Sequence, residues 1–208
     1  MTAQPTAFAA TLRQDGRAAN EDAFLIHPGP PLVVALADGA GNAEQAARQA
    51  LRMLERFVGA AGADELRVFA TWAGWFRAID AAMRGGAQTT LIALSVGDGR
   101  VLGAAAGDSR VCLWNRQGEL RILNEGAAKQ RLGSGAAAPA PIHVPFARGE
   151  TLLLMSDGAW TPLPLARLAG IVAKGALSPL AELPEAILRE ASRTGRADDM
   201  TVVAVRGR

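Results

Sequence analysis

Apolar residues follow two periods along this chain, alternating or unbroken in some segments and recurring every three to four residues in others. Short segments of the first kind, bounded by Gly, Pro, Asn or Asp, predict β-strands, and longer segments of the second kind predict amphipathic helices. The predicted strands are residues 7–12, 23–27, 31–37, 90–96, 101–106, 111–114, 120–123, 142–146, 151–155 and 201–205. The unbroken run 31–37 is typical of a strand buried on both faces, and we expect it to stop at Asp38-Gly39.

Two long helices are predicted between the third and fourth strands. Asn42 is the expected N-cap of the first, with Gln45 three residues later, and Asp64 is the expected N-cap of the second. The second helix carries an apolar stripe, interpreted as core packing, that includes Val68, Trp72, Trp75 and Phe76. Two further helices, at residues 163–173 and 179–193, are predicted before the last strand.

The middle of the chain is rich in strands. The four strands between residues 89 and 123 are joined by turn sequences at 97–100, 107–110 and 115–118, which predicts an antiparallel meander. Residues 124–141 are rich in Ala, Gly and Pro and predict a surface loop. Lys129 and Arg131 in this loop are interpreted as solvated charges, with contact to a phosphopeptide as the alternative. The mixture of elements predicts an α+β protein with helices outside β layers.

Composition favours one catalytic domain over residues 1–208, because half of the residues are apolar and the length suffices for a sizeable core. The formal net charge is only +2 and the basic residues are scattered, so no nucleic-acid partner is predicted. No segment has bilayer-spanning apolar length, and residues 1–13 lack a signal-peptide pattern. The lone Cys112 is interpreted as a buried structural thiol. We expect a cytoplasmic protein with no membrane partner.

Four short acidic motifs carry most of the functional information, at least three of them beside predicted strands. They are Asn20-Glu21-Asp22, Asp38-Gly39, Ser156-Asp157-Gly158 and Asp198-Asp199-Met200-Thr201. In two of them a carboxylate follows a buried strand and precedes a glycine, which lets a backbone carbonyl approach a cation closely. Mg²⁺ and Mn²⁺ prefer oxygen ligands and retain several waters, so a few carboxylates suffice for a two-metal site.

Other chemistries lack a signature in this chain. His27 and His143 lie in strand-like surroundings and are interpreted as structural. No Gly-x-Ser-x-Gly sequence occurs, and Gly133-Ser134-Gly135 lacks a P-loop lysine. Asp15-Gly16 and Asp98-Gly99 are interpreted as turns. Hydrolysis by a metal-activated water is therefore the favoured chemistry.

Six motifs in order resemble those of the metal-dependent type 2C serine/threonine protein phosphatases of the bacterial type, over nearly the whole chain. The motifs are Arg17-x-x-Asn20-Glu21-Asp22-Ala23, Asp38-Gly39-x-Gly41, Thr89-Thr90-Leu91, Gly107-Asp108-Ser109-Arg110, Ser156-Asp157-Gly158 and Asp198-Asp199-Met200-Thr201-Val202. The resemblance implies a central antiparallel β-sandwich flanked by α-helices on both sides, in four layers. It also implies a site for two Mn²⁺ or Mg²⁺ ions at one end of the sandwich.

The resemblance assigns a role to each acidic motif. Asp38 would bridge the two metals, Asp157 and Asp198 would complete one site, and Glu21 and the Gly39 carbonyl would serve the other. Asp22 and Asp199 would hold bound waters as outer partners of the metals. Asp108 would help to hold a third metal, with a simple turn residue as the equal alternative. Arg17 would bind the substrate phosphate through its planar guanidinium.

The implied activity is hydrolysis of phosphoserine and phosphothreonine in a protein substrate, in opposition to a cognate serine/threonine kinase of a bacterial signalling pathway. Two departures from the family pattern stand out: Ala40-Gly41-Asn42 after the second acidic motif, and a short segment after Leu123 where bacterial relatives carry a longer flap. The first alternative is a degenerate phosphatase-fold module that binds without turnover. The second is hydrolysis of another phosphoester, as by a nuclease, which the lack of a basic tract disfavours.

Overall fold

A computed structural model describes residues 4–40, 44–195 and 197–207. Two antiparallel sheets dominate it. The strands are β1 (Thr6–Leu12), β2 (Asp22–His27), β3 (Leu32–Ala40), β4 (Gln88–Thr89), β5 (Leu91–Gly97), β6 (Arg100–Ala106), β7 (Arg110–Trp114), β8 (Leu120–Ile122), β9 (Ala140–Pro145), β10 (Thr151–Met155) and β11 (Met200–Arg206). The first sheet has the order β1-β11-β10-β7-β8, and the second has the order β2-β3-β5-β6-β9 with β4 also paired to β3.

Helices cover the outer face of each sheet. They are α1 (Glu44–Ala60), α2 (Phe69–Met83), α3 (Asp157–Trp160), α4 (Leu165–Gly175) and α5 (Glu182–Ala191), with 3₁₀ turns at Glu65–Arg67 and Ser192–Thr194. Helices α1 and α2 pack on the second sheet, and α4 and α5 pack on the first. A third apolar cluster fills the space between the sheets. The predicted four-layer sandwich is therefore confirmed.

Strand β3 has an unbroken apolar sequence because both of its faces are buried. Its side chains alternate, so that Val33 and Ala35 contact the helix layer while Val34 and Leu36 pack between the two sheets. The strand does not stop at Asp38-Gly39 as predicted. It continues to Ala40, because β2 pairs with it at Asp38 and β4 pairs with it at Gly39. Asp38 is thus held inside a sheet.

The predicted meander is wrong at its centre. Strands β5 and β6 form one hairpin and β7 and β8 form another, but β6 pairs with β9 while β7 pairs with β10. The segment Gly107-Asp108-Ser109 carries the chain from the second sheet to the first. Gly107 has φ of 92°, and a Cβ there would collide with the side chain of Thr90. The crossover therefore depends on that glycine and brings Asp108 to the end of the sandwich.

The start of the second helix was also mispredicted. Asp64 precedes the short 3₁₀ turn, and α2 begins only at Phe69 after an extended and half-exposed Val68. The expected cap Asn42 lies outside the described residues. The predicted apolar stripe is core at Trp72 and Phe76, which are fully buried, and Trp75 packs against that core, but the exposed Val68 does not belong to it. Cys112 is buried too, and burial raises the pKa of its thiol to about 12.

Residues 124–139 form an irregular segment that is anchored at two points. The backbone of Leu132 pairs with that of Thr89 through hydrogen bonds of 3.1 and 2.9 Å. The buried carboxylate of Asp80 on α2 accepts N–H bonds from Gly133, Gly135 and Ala137 at 2.8, 3.0 and 3.3 Å. A buried acceptor with several donors holds a loop firmly. Among the described helices, none combines the length and apolarity that a bilayer crossing requires.

Candidate metal centre

Three aspartates meet at one end of the sandwich, each supplied by a different part of the fold. Asp38 lies near the end of β3, Asp108 lies in the crossover between the sheets, and Asp157 is the first residue of α3, directly after β10. One carboxylate oxygen from each lies within 4.8 Å of the other two. Carboxylates this close repel one another unless protons or cations intervene, so the arrangement suits a divalent cation.

Threonines beside β3 hold Asp38 in place. The Asp38 amide donates to Thr90 Oγ1 at 3.0 Å, and its carbonyl accepts from the Thr90 amide and the Thr89 hydroxyl at 2.8 and 2.9 Å. Thr90 Oγ1 is also 2.8 Å from Ser109 Oγ in the crossover. The family motif Thr89-Thr90 thus fixes the backbone of the central aspartate, a role that the sequence did not reveal.

The carboxylate of Asp38 lies among other acids. Its Oδ2 is shielded from solvent and makes no hydrogen bond with any described residue. Burial, with a further contribution from the charges of Asp22, Asp157 and Asp198, raises the pKa of Asp38 to about 9. An orphaned buried carboxylate among other acids fits a bound cation, which would supply the missing charge and ligand bond.

Asp157 and Asp198 lie together beside a cavity of about 300 Å³ that they both line. Burial raises the pKa of Asp157, as do the neighbouring charges of Asp198 and Asp108. The motifs that contain Asp157 and Asp198 touch at Gly158. This glycine packs so closely against the backbone of Asp199 that a Cβ at position 158 would collide with the Asp199 carbonyl. The glycine after Asp157 is therefore required for the approach of the two acidic segments.

Asp199 organises the loop that carries Arg17 and Glu21. Its carboxylate accepts N–H bonds from Gln14 at 2.6 Å and from Glu21 at 2.7 Å. Arg17 Nη1 forms an ion pair with Glu21 Oε2 at 2.5 Å and lies 3.7 Å from Asp199 Oδ2. The Gly39 amide donates to the Glu21 carbonyl at 3.3 Å, which ties this loop to β3. The predicted phosphate-binding arginine thus lies next to a predicted metal ligand.

Asp22 lies opposite Asp38 in the β2–β3 pair and is buried. Its Oδ2 accepts from Ser156 Oγ at 2.7 Å, while its Oδ1 is buried without a hydrogen bond to a described residue. Ser156 Oγ in turn accepts from the Thr201 amide at 2.8 Å. Burial raises the pKa of Asp22 to about 7. Asp22 therefore joins both sheets directly behind Asp38.

One functional residue was misinterpreted from the sequence. Arg131, expected to be a solvated loop charge, is about two thirds buried and places Nη2 at 3.3 and 3.2 Å from the two oxygens of Asp108. Its positive charge lowers the pKa of Asp38 and of Asp157, whereas burial and the neighbouring carboxylates raise both pKa values. No local signal could have found this pair, because it depends on the fold of residues 124–139. Lys129 is exposed as predicted.

A family model and several solved structures match this chain. The family model of Stage II sporulation protein E (SpoIIE) matches residues 28–208. No curated protein matches the sequence significantly. The catalytic domain of the serine/threonine phosphatase PstP, solved in complex with two manganese ions, is 25% identical with a TM-score of 0.76, covering 97% of each chain.

Two other solved structures share the fold at lower identity. The serine/threonine phosphatase of S. agalactiae is 19% identical with a TM-score of 0.82, covering 98% of this chain and 100% of that chain. PppA, described as a key regulatory component of T6SS in Pseudomonas aeruginosa, is 17% identical with a TM-score of 0.81, covering 100% of this chain and 99% of that chain.

Proposed function

Since the chain belongs to the SpoIIE family of bacterial type 2C phosphatases, we propose that it is a metal-dependent phosphatase that hydrolyses phosphoserine and phosphothreonine in proteins. The observation that carries the proposal is the buried, unpartnered Oδ2 of Asp38 among the carboxylates of Asp108 and Asp157. The ionised form of such a group is costly to bury unless a cation binds it. The proposed catalytic domain extends over residues 1–208.

Six residues would hold the metals. We propose that Asp38 contacts two Mn²⁺ or Mg²⁺ ions, that Asp157 and Asp198 contact one, and that Glu21 and the Gly39 carbonyl contact the other. Asp108 would contribute to a third ion. When bound, these ions supply a water of lowered pKa and offset negative charge on the phosphoryl group.

The surrounding residues orient this chemistry. Asp199 accepts a hydrogen bond from the Glu21 amide, and Asp22 accepts one from the hydroxyl of Ser156, the residue before Asp157. Both bonds fix the positions of segments that carry proposed metal ligands. Arg17 would bind the substrate phosphate. Its ion pair with Glu21 uses one edge of the guanidinium, and its side chain is 32% exposed, which leaves other N–H groups for phosphate oxygens.

The physiological role is proposed from the relatives. The PstP catalytic domain holds two manganese ions in its solved structure and is a serine/threonine phosphatase. We propose that this protein likewise acts on phosphoproteins, in opposition to a cognate kinase of a bacterial signalling pathway in the cytoplasm. A module that binds without turnover is the second candidate. It is favoured by Arg131, whose guanidinium already lies at Asp108 where a third cation would bind.

The test is hydrolysis of p-nitrophenyl phosphate and a phosphothreonine peptide with Mn²⁺, Mg²⁺ or EDTA. We expect turnover with metal only, and its loss in Asp38→Asn and Asp157→Asn. Asp64→Asn is the matched control, because its side chain is 99% exposed and distant from the cluster. A folded wild-type protein that is inactive with both metals on both substrates would reject the catalytic assignment for these substrates and favour the binding module.

A further inference from the structure

A second cavity, of about 400 Å³, lies at the opposite end of the sandwich from the acidic cluster. Strand β3 runs between the two, since Leu32 lines the cavity and Asp38 belongs to the cluster. The apolar part of the lining includes Leu32, Val96 and Phe146, which are members of the core between the sheets. The cavity is therefore a cleft into the apolar edge of the sandwich.

Arginines from four separate segments converge on this cleft. They are Arg67 in the 3₁₀ turn before α2, Arg100 at the start of β6, Arg116 between β7 and β8, and Arg148 between β9 and β10. The carboxylates of Asp98 and Asp64 already pair with Arg67, at 2.5 and 2.8 Å.

The other three arginines are exposed and form neither a hydrogen bond nor an ion pair through their side chains with another described residue. Asp98 is the one carboxylate among the lining residues. The cleft thus carries an uncompensated positive charge above an apolar floor. Unpaired guanidinium groups brought together in this way repel one another and attract anions.

We propose that this cleft binds a small organic phosphate, such as a nucleoside diphosphate, separately from the metal centre. The planar donor fork of arginine suits phosphate oxygens, and the apolar floor suits a ring or sugar face. The volume lies at the lower end of the range typical of small-molecule sites. An inorganic anion would contact the arginines alone, while an organic phosphate would contact both the arginines and the apolar floor.

The experiment is isothermal titration of the protein with ADP, pyrophosphate and adenosine in EDTA, at low salt. EDTA removes metal from the catalytic end, so that end contributes no metal-mediated phosphate binding. The test variant is Arg116→Ala with Arg148→Ala. The matched control is Arg56→Ala with Arg189→Ala, which removes the same charge from exposed positions on α1 and α5.

We expect ADP to bind more tightly than pyrophosphate or adenosine, and at least about tenfold more weakly to the test variant than to the control. Added NaCl should weaken the binding. The proposal is overturned if ADP does not bind, if both double variants bind it equally, or if pyrophosphate binds as well as ADP. Far-ultraviolet circular dichroism checks that each variant is folded.

Discussion

Replacing Asp38 by Asn should stabilise the metal-free protein while abolishing its metal-dependent activity. The carboxyl group of Asp38 has a buried oxygen without a hydrogen bond and lies beside other acids. An amide of the same shape carries no charge at any pH, and its N–H groups can donate to the neighbouring carboxylates of Asp108 and Asp157. The change therefore removes a group that must either take up a proton or bury a charge when the protein folds, and it adds possible hydrogen bonds.

The expected size follows from the pKa. Asp38 has a pKa of about 9 in the folded protein against 3.8 ordinarily. A group with a raised folded pKa stabilises fully below its unfolded pKa and loses that contribution as pH rises toward the folded pKa. At about pH 7 the loss is up to about 4 kcal/mol. Asn does not titrate and so does not incur this loss. The free energy of unfolding of the variant should therefore be higher by about 2–4 kcal/mol, which corresponds to about 5–10 °C in Tm.

The assay is denaturant and thermal unfolding in EDTA between about pH 4 and pH 9. The gain of Asp38→Asn should be small near pH 4 and grow with pH. In millimolar MnCl₂ the wild type should become the more stable protein, because it binds the metal and the variant does so weakly. Asp64→Asn, the exposed control, should change stability by less than about 1 kcal/mol. An Asn variant that is less stable in EDTA at neutral pH, or a gain independent of pH, would refute the reasoning.

Three further predictions follow from the acidic cluster and its loop. Mn²⁺ binding at about pH 7 should release about one proton, because the metal displaces the proton held by Asp38. Titration calorimetry in buffers of different ionisation enthalpy measures this release, and a heat of binding that is the same in every buffer would contradict it. Arg131→Ala should strengthen binding of an additional Mn²⁺ ion by freeing Asp108, and an unchanged calorimetric isotherm would count against the competition. Asp80→Ala should cost about 2–4 kcal/mol and speed hydrogen exchange at residues 131–137, because three loop amides lose their acceptor; unchanged exchange there would mean that the loop is held by other contacts.

Much of the fold was readable from local patterns. The apolar run before Asp38 identified a strand buried on both faces, because alternate residues must meet apolar neighbours on each side. The same patterns did not predict correctly which strands pair with each other. Periodicity reports whether a residue is buried and not what covers it, so nothing local distinguished a meander from the crossover at Gly107. The extension of β3 past Asp38 likewise depends on β4, which lies about fifty residues later.

The chain by itself identified the acidic motifs, their order and the family, because the residue types that hold a hard cation are few and occur together in this sequence. Only the tertiary structure decided which carboxylates meet. Asp38, Asp108 and Asp157 come from the second sheet, the crossover and the first sheet, so their distances are set by how the two sheets pack. The pairing of Arg131 with Asp108 and the convergence of arginines at the opposite end have the same origin. Charges distant in sequence interact only after packing has brought them within a few ångströms.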